Sequence, residues 1–171
     1  MEAVLERARR VELLLLDVDG VLTDGRILIL SDGREGKFFH FHDGHGIRLA
    51  RQAGLTVGLL SARSSEATAV RARELGLTIC VQDARDKLTA GRRIADDCGV
   101  TLEQMAYMGD DVLDVPLMPH VGLAVAPVDA RPEAKAVAHW VTDACGGHGA
   151  VRELTDLLIQ ARSSGEPNHD R

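Results

Sequence analysis

The chain has 171 residues, of which 45% are hydrophobic, and its formal net charge is −6. This length suits one domain with a single sizeable core, and the hydrophobic content argues against a disordered protein. The acidic balance argues against a general nucleic-acid or membrane-surface binder, whose binding face would be basic.

We expect neither an export signal nor a membrane span in this sequence. The apolar run "VELLLL" stops at Asp17, and this run is too short for a secretion signal. No run approaches the roughly 18 apolar residues of a transmembrane helix. Cys80, Cys98 and Cys145 are odd in number, far apart and without a CxxC pair, so they are expected to be buried reduced thiols. We therefore expect a cytoplasmic protein.

Short apolar segments alternate with amphipathic ones. The predicted buried strands cover 11–18, 55–61, 77–81, 104–110 and 121–126, with a short sixth strand at 139–142. The predicted helices cover 46–53, 65–75, 86–98, 112–118, 132–138 and 149–161, and the first three end at Gly54, Gly76 and Gly99. This alternation predicts a doubly wound, Rossmann-like α/β fold with a parallel sheet. We assign residues 1–161 to one domain and expect a flexible polar tail at 162–171.

One segment interrupts the alternation. "GRILILSDGREGKFFHF", at about 25–41, is predicted to form a β-hairpin that turns at Asp32-Gly33, with strands of about five residues. Both faces of this hairpin are apolar, and an isolated hairpin is marginally stable in water. We therefore expect the hairpin to pack on another subunit.

Acidic residues follow two of the predicted strands. Asp17 and Asp19 lie at the end of the first strand, and Asp110, Asp111 and Asp114 lie at the end of the strand at 104–110. Carboxyl ends of parallel strands meet at one edge of a sheet, where ligands bind. Solvated loop acids, or an acid-rich helix N-terminus, are the simpler alternatives. Taken together, the acids carry too much negative charge for one pocket without a cation, and hard oxygen ligands favour Mg²⁺.

Two further strand ends carry groups suited to a phosphate. Ser61 precedes a helix whose first amides favour an anion, although a serine here is equally expected as a helix cap. Lys87 lies in the first turn of a helix, where the helix dipole disfavours a cation and an anionic partner would offset this. A surface lysine is the simpler alternative.

The ordered set of D-x-D, Ser, Lys and GDD-x-x-D resembles the haloacid dehalogenase superfamily of phosphotransferases over about residues 11–159. "LDVDGVLTDG", the hairpin, "HDGHGIRLA", "GDDVLDVPLM" and "GGHGAVRE" are similar to the 3-deoxy-D-manno-octulosonate 8-phosphate phosphatase family. The resemblance implies a phosphatase without a cap domain, acting in lipopolysaccharide biosynthesis. It also implies a homotetramer in which the hairpin of one subunit helps to cover the active site of another.

The resemblance also implies roles for the acidic residues. Asp17 would be the nucleophile and Asp19 the general acid and base, while Ser61 and Lys87 would hold the phosphoryl oxygens. Mg²⁺ would bind Asp17, the backbone carbonyl of Asp19, and Asp110. The remaining two acids, which would support the metal waters and orient the lysine, are Asp111 and Asp114.

A second set of residues would bind the substrate, in addition to Asp19 and Lys87. The family's substrate-contacting stretch corresponds to His40, Phe41, His42, Asp43 and Gly44, with Arg48 on the following helix, and Arg63 and Arg71 would meet a sugar-acid carboxylate. His42 and His148 stand where the family pattern has arginine, and Ala62 where it has glycine. Because fixed positive charge is lost, a nine-carbon sialic-type sugar-acid 9-phosphate, or a broad range of sugar phosphates, is the alternative substrate.

The stretch "HFHDGHG" raises an alternative, a metal hydrolase centred on His40, His42, Asp43 and His45. Its spacing differs from a metallo-β-lactamase motif, and no later histidine-rich stretch completes the ligands. Asp43 is instead expected to be a helix N-cap. A phosphorylated receiver domain is a third possibility, but Ser61 occupies the place of its acceptor aspartate.

Overall fold

The computed structural model describes residues 1–163. Its strands are β1 (Leu13–Leu16), β2 (Leu28–Ile29), β3 (Glu35–Gly36), β4 (Thr56–Leu60), β5 (Ile79–Val81), β6 (Met105–Met108), β7 (Leu123–Ala126) and β8 (Trp140–Val141). Six of them form one sheet in the order β5-β4-β1-β6-β7-β8, and every neighbouring pair is parallel. The predicted doubly wound fold and its six strands are confirmed.

The helices are α1 (Glu2–Ala8), α2 (Phe41–Gln52), α3 (Glu66–Glu74), α4 (Lys87–Cys98), α5 (Pro132–Val137) and α6 (Ala150–Ser163). Two apolar clusters cover the two faces of the sheet. In β1, Leu14 and Leu16 enter one cluster, and Leu13 and Leu15 enter the other. Burial on both faces explains why this strand is apolar without alternation.

The ends of the helices follow the predictions in most places. Gly54, Gly76 and Gly99 have φ values of +87°, +68° and +68°, as expected for left-handed caps. The helix predicted at 112–118 is wrong, because that segment forms turns followed by a 3₁₀ turn at Met118–His120. The Asp114 carboxylate accepts hydrogen bonds from the backbone amides of Asp110 and Asp111, and these bonds hold the segment in a turn.

Helix α2 begins at Phe41, which is earlier than predicted, and its N-cap is His40. The expected N-cap role of Asp43 is therefore wrong. The Asp43 carboxylate is buried and accepts from the backbone amides of Gly149 (3.2 Å) and Arg152 (2.8 Å). It joins the first turn of α2 to the first turn of α6.

The hairpin is present, but its strands have two residues each instead of the predicted five. It ends before residue 41, since Phe41 already belongs to α2. Beyond Gly36 the chain leaves the ladder and places Lys37 beside Asp19. The apolar surface of the hairpin segment is open: Ile29 is 63% exposed and Phe38 is 71% exposed.

The C-terminal helix extends further than predicted. Arg162 and Ser163 belong to α6, and the Arg162 guanidinium donates to the carbonyl of Val11 at 2.9 Å. The rest of the expected tail, 164–171, lies outside the described residues. None of the helices in residues 1–163 combines the length and hydrophobicity that a membrane crossing requires.

Candidate active site

The loops after β1 and β6 pack against each other at the carboxyl edge of the sheet. Asp17 continues the pairing of β1 with β6, since its backbone amide donates to the Met108 carbonyl at 3.0 Å. Gly20 has φ +93°, and a Cβ there would collide with the Asp110 carboxylate. A Cβ at Gly109 would collide with Asp114 in the same way. Gly20 therefore lets the loop after β1 approach Asp110, and Gly109 lets Asp114 fold back onto its own loop.

A buried cation joins these loops. The Lys87 ammonium lies 2.8 Å from Asp17 and 2.5 Å from Asp114, and it donates to the Tyr107 hydroxyl at 3.0 Å. The Tyr107 hydroxyl donates in turn to Asp114. Lys87 is 1% exposed, so the alternative of a surface lysine is wrong. The network fixes Asp17 next to a positive charge at the first residue of α4.

The electrostatics of the cluster are dominated by crowded carboxylates. Burial and the neighbouring Asp114 raise the pKa of Asp17 to about 6, against the opposing effect of Lys87. Burial and the charges of Asp17, Asp114 and Asp111 raise the pKa of Asp110 to about 8. Burial alone would lower the pKa of Lys87, but Asp17 and Asp114 outweigh it and raise the pKa. The site therefore has an excess of negative charge that one lysine does not neutralise.

The acidic cluster fits a divalent cation. Asp17, Asp110 and Asp114 each offer a carboxylate oxygen within 4.8 Å of the others. Both oxygens of Asp114 already accept hydrogen bonds, two from the side chains of Lys87 and Tyr107 and two from backbone amides. By contrast, Asp110 Oδ1 is buried without a hydrogen-bond partner among residues 1–163. This arrangement suits Asp17 and Asp110 as metal ligands and Asp114 as their support.

The cluster opens into a small cavity of about 140 Å³. Its lining includes Asp17, Asp19, Ser61, Arg63, Lys87, Asp111 and Asp114. Ser61 is 2% exposed, and its hydroxyl accepts from the amide of Arg63 at 3.2 Å. Small-molecule sites usually enclose about 300 Å³ or more. The cavity therefore has room for a phosphoryl group, and a larger substrate must extend beyond it.

The predicted substrate-binding residues lie in two different environments. Imidazole rings cluster at the start of α2, with ring centroids 5.1 Å apart for His40 and His42 and 6.4 Å apart for His40 and His148. Phe41 stands next to this cluster and is 80% exposed. The two histidines that replace expected arginines thus belong to one patch.

The other predicted contacts are already used inside the chain. Asp43 is held by α6, and Gly44 is packed so closely on α3 that a Cβ would collide with the Arg71 guanidinium. Arg48 donates to the Glu74 carbonyl at 3.2 Å, and Arg71 lies 3.3 Å from the Glu74 carboxylate. The lining of the cavity includes none of these four residues, Asp43, Gly44, Arg48 and Arg71.

Sequence reasoning missed two residues. Tyr107, the chain's one tyrosine, sits in an apolar strand directly before the acidic loop, and its hydroxyl needs a buried partner. Lys37 is the one charged residue at the exit of the hairpin, in "GKFFH", and its ammonium lies 2.7 Å from Asp19. Both signals were visible in the sequence, but neither indicated which acid would be the partner.

Comparisons with known proteins agree with this geometry. Residues 64–154 match the family described as haloacid dehalogenase-like hydrolase. The 3-deoxy-D-manno-octulosonate 8-phosphate phosphatase of Yersinia pestis is 42% identical over 159 residues, which cover 93% of this chain and 85% of that protein. The enzyme of the same name from Escherichia coli strain K12 is 41% identical with the same coverage.

Solved structures give the same result. The 3-deoxy-D-manno-octulosonate 8-phosphate phosphatase of Moraxella catarrhalis, in complex with a magnesium ion, a phosphate ion and a KDO molecule, has a TM-score of 0.94 at 34% identity, covering 96% of this chain and 94% of that chain. The cobalt-bound enzyme of Haemophilus influenzae has a TM-score of 0.89 at 36% identity, covering 92% of each chain.

Fold and site therefore define a hydrolase of phosphoric monoesters with the haloacid dehalogenase architecture. Within that class, the chain belongs to the family of 3-deoxy-D-manno-octulosonate 8-phosphate phosphatases.

Proposed function

We propose that this protein is a Mg²⁺-dependent phosphatase that hydrolyses 3-deoxy-D-manno-octulosonate 8-phosphate to the free sugar acid and phosphate. The observation that carries the proposal is the pairing of buried Asp17 with Lys87 in a cavity of phosphoryl size. The names of the curated relatives supply the substrate.

The chemistry we propose has two steps. In the first, an Asp17 carboxylate oxygen attacks phosphorus, the ester P–O bond breaks, and Asp19 gives its proton to the departing sugar oxygen. In the second, water attacks phosphorus, Asp19 takes one proton from that water, and the bond from phosphorus to Asp17 breaks. Phosphate leaves, and both aspartates return to their starting forms.

The other residues hold the reacting groups. Lys87 and Ser61 would bind phosphoryl oxygens, and Tyr107 and Asp114 keep the lysine in place. Asp17, the Asp19 carbonyl and Asp110 would hold Mg²⁺, which would supply positive charge against the charge that develops on the phosphoryl oxygens.

The metal site leads to a prediction for stability. Adding Mg²⁺ should raise the melting temperature more at about pH 8 than at about pH 5. With the pKa of Asp110 raised to about 8, the folded metal-free protein keeps a proton that the unfolded chain releases above about pH 4. The stability of the metal-free protein therefore falls as pH rises through this range, and a cation that binds the ionised form restores it. Thermal unfolding followed by circular dichroism, in Mg²⁺ or in EDTA, measures the difference.

The variant Asp110→Asn tests whether Asp110 is a ligand of the metal. The variant should melt about 3 °C or more above the wild type in EDTA at pH 8, and it should lose the response to Mg²⁺. Asp97→Asn is the matched control, because this carboxylate is 72% exposed and lies at the opposite end of α4 from Lys87. An Asp110→Asn protein that Mg²⁺ still stabilises as strongly as the wild type would remove Asp110 from the metal site.

The substrate is tested by phosphate release with Mg²⁺ over a set of esters. We expect 3-deoxy-D-manno-octulosonate 8-phosphate to give the highest kcat/KM. His42 and His148 stand where the family pattern has arginine and form one patch with His40, and this difference supports a second candidate, a nine-carbon sugar-acid 9-phosphate. Hexose phosphates measure general phosphatase activity, and a flat profile would overturn the specific substrate.

We also propose a cytoplasmic homotetramer. The cysteines Cys80, Cys98 and Cys145 are free, which suits a reducing compartment. The exposed apolar residues Ile29, Phe38 and Phe41 suit burial against a second subunit, where the substrate would extend beyond the small cavity. Sedimentation equilibrium should give four times the chain mass, and a monomer would contradict the proposal.

A further inference from the structure

Lys37 connects three segments around Asp19. Its ammonium donates to Asp19 Oδ1 at 2.7 Å and to the Thr68 hydroxyl at 3.3 Å, and it lies 3.8 Å from the Glu35 carboxylate. The first partner is on the loop after β1, the second is on α3, and the third is on β3. The Lys37 side chain is 0% exposed, which is unusual for lysine.

Four charges alternate in a closed ring. Lys37 pairs closely with Asp19, and Arg63 pairs closely with Glu35, at 2.8 Å. The two remaining distances are longer, 3.8 Å from Lys37 to Glu35 and 3.9 Å from Arg63 to Asp19. Glu35 is thus the principal partner of Arg63, and Lys37 is the principal partner of Asp19.

The two oxygens of Asp19 differ as a result. Oδ1 accepts from Lys37, while Oδ2 is buried and accepts no hydrogen bond from residues 1–163. The Asp19 side chain is 19% exposed, and it lines the cavity together with Asp17. Lys37 itself does not line the cavity, so it is placed to act on Asp19 and not on the substrate.

We propose that Lys37 is a positioning residue that fixes the Asp19 carboxylate so that Oδ2 carries out the proton transfers. This inference rests on the proposed function, in which a proton passes from Asp19 to the leaving oxygen as the ester P–O bond breaks. The hairpin then has a role in its own subunit, in addition to presenting an apolar surface.

The test uses the dependence of kcat/KM on the leaving group, because this ratio reports the steps up to the departure of the alcohol. An alkyl oxygen needs a proton to leave, whereas p-nitrophenolate leaves at neutral pH without one. In Lys37→Met, kcat/KM should fall about 100-fold for the sugar-acid phosphate and for glucose 6-phosphate, which has no carboxylate. For p-nitrophenyl phosphate it should fall less than about fivefold.

Two further variants separate this role from a structural one. Thr68→Val removes the second partner of Lys37. It should also lower kcat/KM more for the two sugar phosphates than for p-nitrophenyl phosphate, by a smaller factor than Lys37→Met does. Arg34→Met removes a charge from the hairpin turn, where Arg34 pairs with Asp32 and is 77% exposed, and it should leave all three substrates unaffected. Melting temperatures show whether each variant is folded.

Each contrary result has a distinct meaning. Equal losses on aryl and alkyl esters would overturn the positioning role while the proposed function stands. A loss confined to the sugar-acid phosphate would also overturn it, since Lys37 would then bind the substrate carboxylate. A wild-type protein inactive on all three esters would overturn the proposed function and this inference together.

Discussion

Replacing Asp17 by asparagine is expected to reduce turnover by on the order of 10⁴-fold or more. An amide oxygen is too weak a nucleophile to form the aspartyl-phosphate, and Asp114, which also contacts Lys87, already accepts four hydrogen bonds. The fold should survive, because burial and Asp114 raise the pKa of Asp17 to about 6 and ionised Asp17 is therefore costly in the metal-free protein. We expect a melting temperature in EDTA that equals or exceeds the wild-type value.

Asp97→Asn again serves as a control of equal chemistry, and it should keep wild-type turnover. Phosphate release with Mg²⁺ and an alkyl phosphate measures the difference. If Asp17→Asn kept a tenth or more of wild-type activity, the nucleophile would have to be sought elsewhere.

Replacing Lys87 by methionine is expected to lower kcat about 10³-fold and to lower the melting temperature by about 10 °C at neutral pH. Methionine keeps the aliphatic length but leaves the buried carboxylates of Asp17 and Asp114 without their shared cation. Tyr107 also loses its lysine partner. Catalysis suffers because the positive charge at the phosphoryl site is lost.

The destabilisation should depend on pH in a defined direction. Lys87 opposes the rise in the pKa of Asp17, so its loss raises that pKa further above the unfolded value. The folded variant then retains protons that the unfolded chain releases, and its stability falls as pH rises from about 4 through neutrality. The deficit relative to the wild type should therefore be smaller near pH 5 than near pH 8.

Lys135→Met is the control of equal charge, because the Lys135 ammonium donates to the carbonyl of Val128 near the surface. It should change neither the rate nor the pH dependence of stability. A Lys87→Met enzyme with kcat within tenfold of the wild type would show that Lys87 does not contribute to phosphoryl transfer.

Much of the fold was predictable because of one physical regularity. A strand buried on both faces is continuously apolar, as in β1, and the polar residue that ends it marks the edge where ligands bind. Asp17, Ser61 and Asp110 all follow such strands, so their convergence could be inferred without knowing any distance.

The sequence was less informative where a side chain overrides local propensity. The segment 112–118 has a helical pattern, but Asp114 uses its carboxylate to bind the amides of its own loop. Asp43 resembles an N-cap, but its partners are amides over 100 positions away. Lys37 was missed for a related reason: a lysine in a hairpin is normally solvated, and only the folded chain brings Asp19 and Thr68 to it.

The proposed mechanism requires that Asp17 becomes covalently phosphorylated during turnover. The most direct measurement is to quench the enzyme during turnover, reduce acyl phosphates with borohydride, and map the peptides by mass spectrometry. We expect Asp17 to be converted to homoserine, with no conversion at Asp19 or Asp110. Turnover that leaves Asp17 unmodified, or a phosphate found on Ser61, would contradict it.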